Sequence, residues 1–219
     1  MSDHFNRQVG ILDTREYGGT IHIIGVGGIG SPLAFQLVKM GFNKFVFYDH
    51  DILEEHNIAN QMYRLRDVGK PKVEALEEFL RPHTYEGQYI LPHKGKFTDE
   101  MTIDEGDIVM VCVDSMDTRI DLWRNMLKDR PWGLYMEARM GGEIFKIYSV
   151  TQDNKNDYDT PDILYPSSEA VELPCTARAI LYNTFALSGF MGACLSKHLR
   201  GQDVPFELIG DMVNLQIII

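Results

Sequence analysis

Hydrophobic residues follow two patterns along the chain, short continuous runs and positions spaced three or four residues apart. The continuous runs predict buried strands, and the helical spacing predicts amphipathic helices between them. Strands are predicted at 21–24, 45–48, 88–94, 107–114, 134–139, 144–151 and 208–219, and helices at 32–40, 73–80, 118–128 and from 174 onward. This alternation predicts an α/β fold, a Rossmann-like doubly wound and mostly parallel sheet with antiparallel C-terminal strands.

The same pattern predicts one domain, residues 1–219, with one interruption. Residues 152–168 are polar and predict a mobile crossover loop, after which 174–176 open the last helix. Residues 179–196 carry no charge, but Asn183, Thr184 and several small residues make this stretch only moderately apolar. We therefore expect a buried or subunit-interface helix here, and no membrane span.

Candidate chemistry is concentrated where the first predicted strand ends. Ser31 and Pro32 predict the N-cap and the first position of the following helix. Glycines let a backbone approach a phosphate, and the N-terminus of a helix offers unpaired N–H groups to an anion. Asp49 ends the next strand, where a carboxylate can accept hydrogen bonds from ribose hydroxyl groups. The turn thus predicts nucleotide binding; the alternative is a turn that only tightens the packing of helix on sheet. Its glycines are Gly25, Gly27, Gly28 and Gly30.

Composition narrows the functional classes. The net charge of -11 argues against a nucleic-acid partner, since binding to a phosphate backbone requires clustered Lys and Arg. The three cysteines form no C-x-x-C pair, so neither a disulfide framework nor a cysteine-based zinc site is predicted. The polar N-terminus has no signal-peptide pattern, and we expect a reducing, cytoplasmic location.

Four motifs occur in order along the chain: G-V-G-G-I-G-S, Y-D-H-D-I-L-E-E-H-N-I-A-N-Q, D-V-G-K-P-K-V-E-A-L and C-V-D-S-M-D-T-R. Together they resemble the ThiF/HesA/MoeB adenylyltransferases, the superfamily that includes ubiquitin-activating enzymes. Arg7 and Gln8 resemble the N-terminal R-Q element of that family. The resemblance covers roughly the first two thirds of the chain, and the C-terminal helix is also similar.

The resemblance implies that the protein uses ATP and Mg²⁺ to adenylate the C-terminal carboxylate of a ubiquitin-like protein or a peptide. It implies a homodimer in which Arg7 reaches the phosphates, often from the partner subunit, with Lys72 and Asp114 as the other catalytic groups. Asp114 is also the implied magnesium ligand, although it has an alternative interpretation as the N-cap of the next helix. The residues implied to bind the nucleotide are Gly25, Gly27, Gly28, Gly30, Asp49, Asp51, Asn57, Gln61 and Lys72.

Two features depart from the family pattern. Asn60 stands where the family usually has an arginine that contacts phosphate. Either Arg64 or Arg66 replaces that arginine, or the site is weakened. The paired C-x-x-C motifs that bind zinc in many members are absent, which indicates a smaller, divergent branch.

Cys175 is the candidate nucleophile for a thioester that would follow adenylation. It lies in L-P-C-T-A-R, which resembles the segment around the catalytic cysteine of ubiquitin-activating enzymes, and a helix N-terminus and Arg178 would lower the pKa of its thiol. The alternative is a small residue packed under the crossover loop. Cys112 and Cys194 are predicted to be core residues.

Three functional interpretations remain open at this point. The first is an ATP-dependent adenylyltransferase. The second is a catalytically weakened scaffold subunit, for which Asn60 is the main support. The third is an NAD-dependent oxidoreductase, which the glycine turn alone fits equally well, but for which no catalytic His–Asp or Tyr–Lys constellation is evident.

Overall fold

The computed structural model describes residues 3–169 and 179–219. Its strands form one eight-stranded sheet in the order β3-β2-β1-β4-β5-β6-β7-β8. The first five strands in this order, from β3 to β5, pair in parallel. The strands β6, β7 and β8 follow in antiparallel pairing. The predicted fold class is confirmed. The strands are β1 (Ile21–Ile24), β2 (Lys44–Asp49), β3 (Tyr89–Lys94), β4 (Ile108–Val111), β5 (Leu134–Gly141), β6 (Ile144–Val150), β7 (Glu207–Asp211) and β8 (Gln216–Ile218).

Helices cover both faces of the sheet, as a doubly wound fold requires. One face packs against α1, α2 and α5, and the other against α3, the π-helical turn that continues it, and α4. The central strands β1 and β4 are buried at every position, which explains their continuous apolar sequences. The helices are α1 (Gly30–Met40), α2 (Lys72–Leu80), α3 (Met116–Asp121) with the π-helix Leu122–Leu127, α4 (Lys155–Tyr158) and α5 (Leu181–Leu199).

Several predicted element bounds were wrong. The apolar run 208–219 is two strands, because the chain turns between β7 and β8, with Leu215 at a φ of 54°. The long helix begins at Leu181, since Ile180 is extended and Ala179 forms a β-bridge with Gly142. No helix within 3–169 or 179–219 combines the length and hydrophobicity that crossing a membrane requires.

Ser31 does not cap α1 as predicted. The helix begins one residue earlier, at Gly30, and the Ser31 hydroxyl lies inside its first turn. That hydroxyl donates to the Gly27 carbonyl at 2.7 Å and accepts the Met62 N–H at 2.9 Å. Ser31 therefore joins the glycine turn to the loop after β2.

Residues 152–169, called here the crossover segment, are more ordered in their packing than the predicted loop. They contain α4, and they place Tyr158 and Leu164, at 0% and 3% exposure, in the core between the sheet and α3 with its π-helix. The polar sequence concealed this packing, because only these isolated side chains enter the core. The segment thus covers the second face of the sheet, beside β5 and β6.

Candidate functional site

The predicted site residues lie around the point where the order of the strands reverses. The chain runs outward from β1 through β2 to β3, and then returns to the other side of β1 with β4. Gly25 directly follows β1, Asp49 ends β2, and Asp114 lies just beyond β4. Ligands of open α/β sheets bind in the crevice that this arrangement creates at the carboxyl ends of the strands.

Two of the four glycines are required by the fold itself. Gly25 has a φ of +88°, and a Cβ there would lie 2.9 Å from the Cys112 carbonyl oxygen. A Cβ on Gly30 would lie 2.0 Å from the Gly25 carbonyl oxygen. These glycines therefore allow α1 to start close to the sheet, as the packing interpretation of the turn predicts.

Packing does not explain the other two glycines. A Cβ on Gly27 would come no closer than 3.9 Å to Gln61 Nε2, and one on Gly28 no closer than 3.6 Å to the Asn60 carbonyl oxygen. Both distances are ordinary van der Waals contacts, so side chains would fit here in the unliganded protein. The missing side chains instead leave backbone open to a molecule that approaches it closely.

Asp49 holds the glycine turn against the next strand. Its carboxylate accepts the Val26 N–H and the Asp51 N–H, each at 2.9 Å. The residue is only 9% exposed. Asp49 therefore connects the turn to the loop after β2.

Lys72 continues this series of contacts. It opens α2, where the positive end of the helix dipole disfavours a cation. Its ammonium donates to Asp51 Oδ2 at 2.6 Å, and its side chain is 9% exposed against 51% for Asp51. The hydrogen bond from Lys72 lowers the pKa of the Asp51 carboxyl by more than burial raises it, and the charge of Lys72 lowers it further. A nearly buried cation is thus held at the site by an exposed carboxylate.

The loop after β2 carries the predicted amides. Asn57 is buried, and its Oδ1 accepts the Glu54 N–H at 2.9 Å in a capping box, so it is not a surface loop residue. Asn60 Oδ1 and Gln61 Oε1 are buried and have no hydrogen-bond partner within residues 3–169 and 179–219. A buried oxygen without a hydrogen-bond donor costs free energy and indicates a missing partner. The loop therefore leaves two hydrogen-bond acceptors without donors from the described residues, next to the open backbone of Gly27 and Gly28.

Asp114 is exposed and does not cap the following helix. Ser115 is the N-cap of α3, and its Oγ accepts the Thr118 N–H at 3.3 Å. The N-cap interpretation of Asp114 is therefore wrong. Its carboxylate has no recorded hydrogen bond or ion pair within the described residues, and carboxylate oxygens are the ligands that Mg²⁺ prefers.

The arginines are not brought to the glycine turn within one chain. Arg7 is exposed in an arm that packs at the far end of α1, where Gln8 Nε2 donates to the Met40 carbonyl at 2.5 Å. An α1 of 11 residues is about 16 Å long, so the arm is distant from the turn. Arg64 is paired with Asp67 and with Glu78, while Arg66 is exposed. Cys175 lies outside the described residues.

Sequence reasoning missed one residue of the site. The Tyr63 hydroxyl donates to the Val26 carbonyl at 2.6 Å and is buried beneath the turn. Burial first, and then the charges of Asp49 and Asp51, raise the pKa of Tyr63 well above its usual value, so it remains a donor. Tyr63 lies between Met62 and Arg64 in a loop of mixed polar and apolar residues, so the sequence pattern does not distinguish it.

Known proteins resemble this chain in sequence and in fold. Ubiquitin-like modifier-activating enzyme 5 of Gallus gallus is 30% identical over 115 residues, which are 46% of this chain and 29% of that protein. Adenylyltransferase and sulfurtransferase uba4 of Emericella nidulans is 34% identical over 101 residues, 44% of this chain and 21% of that protein. The chain thus spans less than a third of these curated relatives.

Solved structures match over nearly the whole chain. PaaA superposes with a TM-score of 0.74 at 18% identity, over 99% of this chain and 72% of that one. E. coli MccB with ATP gives 0.71 at 16% identity, over 100% and 71%. These likenesses establish the fold. The sequence model of the ThiF family matches residues 15–206, and because this is most of the chain, the chain belongs to the ThiF family.

Proposed function

We propose that this chain is an adenylation domain that uses ATP to activate the C-terminal carboxylate of a ubiquitin-like protein or a peptide. One observation carries the proposal. A continuous series of contacts runs from the open glycine turn through Val26, Asp49 and Asp51 to the ammonium of Lys72. In this proposal, backbone N–H groups of the turn and the ammonium of Lys72 contact the phosphates at the ligand-binding edge of the sheet.

The reaction requires positioning and charge neutralisation. A substrate carboxylate oxygen bonds to the α-phosphorus of ATP, and the bond from that phosphorus to pyrophosphate breaks. Lys72 would stabilise the charge on the phosphates, and a nucleotide would compete with Asp51 for its ammonium. The exposed carboxylate of Asp114, which has no partner in the described part of the chain, fits a hard cation, and bound Mg²⁺ would add charge neutralisation there.

The relatives' names support this choice of substrate. The matched proteins are named ubiquitin-like modifier-activating enzymes and adenylyltransferases, and solved structures of MccB contain ATP in one case and MccA in others. In this proposal the protein acts in the cytoplasm as one domain, which the buried free thiols of Cys112 and Cys194 support.

ATP–pyrophosphate exchange with a panel of ubiquitin-like proteins and peptides tests the activity. We expect exchange that depends on a free C-terminal carboxylate, with no measurable NAD(H) binding in a parallel titration. NAD(H) binding without exchange would favour the oxidoreductase interpretation. Failure to bind either nucleotide would favour the scaffold, for which the unpaired Asn60 and the engaged Arg64 are the supporting observations.

We infer that the site is completed by a second copy of the chain. The hydrogen-bonded series from Val26 through Asp49 and Asp51 ends at the ammonium of Lys72, whereas Arg7 lies at the far end of α1. Tyr182 and Phe185 on α5 are 47% and 42% exposed and offer an apolar contact surface. Mixing Arg7→Ala with Lys72→Ala tests this arrangement, because a mixed dimer would contain one intact site. We expect about a quarter of native exchange on statistical mixing, and none if Arg7 acts within its own chain.

Cys175 is proposed to accept the activated carboxylate, its thiolate bonding to the carbonyl carbon as the bond to AMP breaks, which gives a thioester and free AMP. The support is its resemblance to the catalytic segment of ubiquitin-activating enzymes together with Arg178 nearby in sequence. A reductant-sensitive adduct between substrate and native protein, lost in Cys175→Ala while exchange persists, is the expected result. An adduct that persists in the variant would remove Cys175 from the mechanism.

A further inference from the structure

A second cluster of charged side chains lies next to the site, on the opposite face of the sheet from α1. Glu137 in β5 is 0% exposed and accepts hydrogen bonds from three side chains. Arg139 donates to its two oxygens at 2.7 and 2.6 Å, and Arg119 and the Tyr158 hydroxyl each donate one further bond. We call Arg119, Glu137, Arg139 and Tyr158 the Glu137 cluster.

The cluster places two cations on one buried anion. Burial alone would raise the pKa of Glu137, but the charge of Arg119 and then the hydrogen bond and charge of Arg139 outweigh burial and lower it. Among the described residues, Glu137 is the one carboxylate that pairs with Arg119, whose side chain is 4% exposed. A change at Glu137 is therefore felt by both arginines.

One arm of the cluster reaches the edge of the nucleotide site. Arg119 Nη1 donates to the Ala138 carbonyl at 2.9 Å, and Nη2 donates to the carbonyl of Val113. Val113 immediately precedes Asp114, so Arg119 fixes the backbone from which the proposed magnesium ligand projects.

The other arm holds the crossover segment. Arg139 Nη1 donates to the Ile163 carbonyl at 2.8 Å, and its guanidinium lies 5.0 Å from the ring centre of Tyr148 and 5.8 Å from that of Tyr165. The Tyr158 hydroxyl adds its bond to Glu137 from α4.

The two arms are also joined directly. The Asp117 N–H donates to Ser167 Oγ at 3.1 Å, and the Ser167 N–H donates to Asp117 Oδ1 at 3.0 Å. Asp117 lies in the first turn of α3, close after Asp114. The crossover segment is thus attached at both Glu137 and the start of α3, before the chain continues toward Cys175.

We propose that Glu137 is a positioning residue that couples the crossover segment to the backbone of Asp114. The inference rests on the proposed function insofar as Asp114 binds Mg²⁺. Movement of the crossover segment when substrate binds would then alter the placement of Asp114, and the placement of Asp114 would alter the segment.

Tyr158→Phe tests this coupling with little change in shape. The variant removes one donor to Glu137 and keeps the ring between Trp123 and Tyr148. Tyr135→Phe is the matched control, because the Tyr135 hydroxyl contacts Tyr158 at 3.3 Å and has no recorded bond to Glu137. Both variants remove one phenol oxygen from the same buried aromatic cluster.

Amide hydrogen exchange of the unliganded protein gives the first measurement. We expect Tyr158→Phe to raise the rate of amide hydrogen exchange about tenfold both in 152–169 and in 113–119. A hydrogen bond to a charged group changes an opening equilibrium by at least about tenfold. We expect Tyr135→Phe to raise the rate in neither segment. A rise confined to 152–169, or the same rise in the control, would overturn the coupling. This readout needs no nucleotide, so it stands apart from the proposed function.

Magnesium dependence gives the second measurement. In ATP–pyrophosphate exchange, we expect Tyr158→Phe to require about three to ten times more Mg²⁺ for half-maximal rate, while the maximal rate at saturating Mg²⁺ is retained. Arg119→Lys, which keeps the charge but reaches fewer acceptors, should shift the requirement further. An unchanged Mg²⁺ requirement in both variants would overturn the positioning role. If the native protein shows no ATP–pyrophosphate exchange, the proposed function is contradicted. Amide hydrogen exchange alone would then decide whether the coupling exists.

Discussion

The glycine turn and the Glu137 cluster lie at the same edge of the sheet and treat polar groups in opposite ways. At the turn, Gly27 and Gly28 leave backbone open, and Asn60 Oδ1 and Gln61 Oε1 are buried without partners among the described residues. In the cluster, both oxygens of the Glu137 carboxylate are bonded, and within residues 3–169 and 179–219 only Arg119 Nε lacks a partner. The turn thus offers backbone to a molecule outside the chain, whereas the cluster supplies every partner of its carboxylate.

This difference separates binding from support. A polar site that lacks partners is stabilised when a ligand supplies the missing bonds. A buried carboxylate whose bonds are all made is destabilised when any of its partners is removed. Changes at the turn should therefore act mainly on ligand affinity. Changes in the cluster should act mainly on stability and on the geometry of its neighbours.

The largest expected effect is on stability, in Glu137→Gln. The variant leaves the buried guanidinium of Arg119 and the mostly buried one of Arg139 facing a neutral amide. We expect the free energy of unfolding to fall by about 3–5 kcal/mol in urea denaturation. Glu207→Gln is the matched control. Like Glu137, Glu207 accepts from a cationic side chain and a tyrosine, Lys146 at 2.6 Å and Tyr148 at 2.7 Å, but its side chain is 39% exposed. Its loss should be below about 1 kcal/mol. Equal losses in the two variants would refute the special position of Glu137.

The next effect distinguishes the glycines. Gly30→Ala forces a Cβ to within 2.0 Å of the Gly25 carbonyl, so we expect unfolding to become easier by about 2–3 kcal/mol and ATP affinity to fall. Gly189→Ala, in α5 with open space around its Cβ position, should raise stability by up to about 1 kcal/mol. Thermal unfolding and nucleotide titration measure both. A Gly30→Ala protein as stable as the Gly189→Ala protein would contradict the described turn.

The smallest effect is the pH dependence of the Asp51–Lys72 pair. The folded protein lowers the pKa of Asp51 below the ordinary 3.8. The pair therefore contributes stability that is complete above this ordinary value and is lost as the pH falls through the folded value. We expect the unfolding free energy of the native protein to decline slightly more steeply below about pH 4 than that of Asp51→Asn. Parallel slopes in the two proteins would show that the pair contributes nothing, as a half-exposed carboxylate allows.

The turn could be predicted from the sequence because the signals there are local. Gly25 directly follows a buried strand, Gly30 starts the next helix, and Asp49 ends the next strand, so neighbouring residues specify the local structure. The C-terminal hairpin was missed because the turn before Leu215 contains neither glycine nor proline to interrupt an apolar run.

The Glu137 cluster was missed because its members come from separate elements. Arg119 lies in α3, Tyr158 in α4, and only Glu137 and Arg139 share a strand. A signal did exist, since two charged residues at alternate positions of an otherwise apolar strand must share one face and require partners there. Their partners, however, follow from the tertiary fold, and no local pattern identifies them.

The central claim is that the glycine turn and Lys72 form an ATP site that activates a carboxylate. Pyrophosphate exchange of Lys72→Ala against Lys70→Ala tests it most directly. Lys70 lies two residues earlier and pairs with the buried Asp67 and the exposed Glu78, and neither pairing involves Asp49 or Asp51. We predict that exchange falls about 100-fold or more in Lys72→Ala and changes less than about twofold in Lys70→Ala. Exchange that survives equally in both variants would contradict the account.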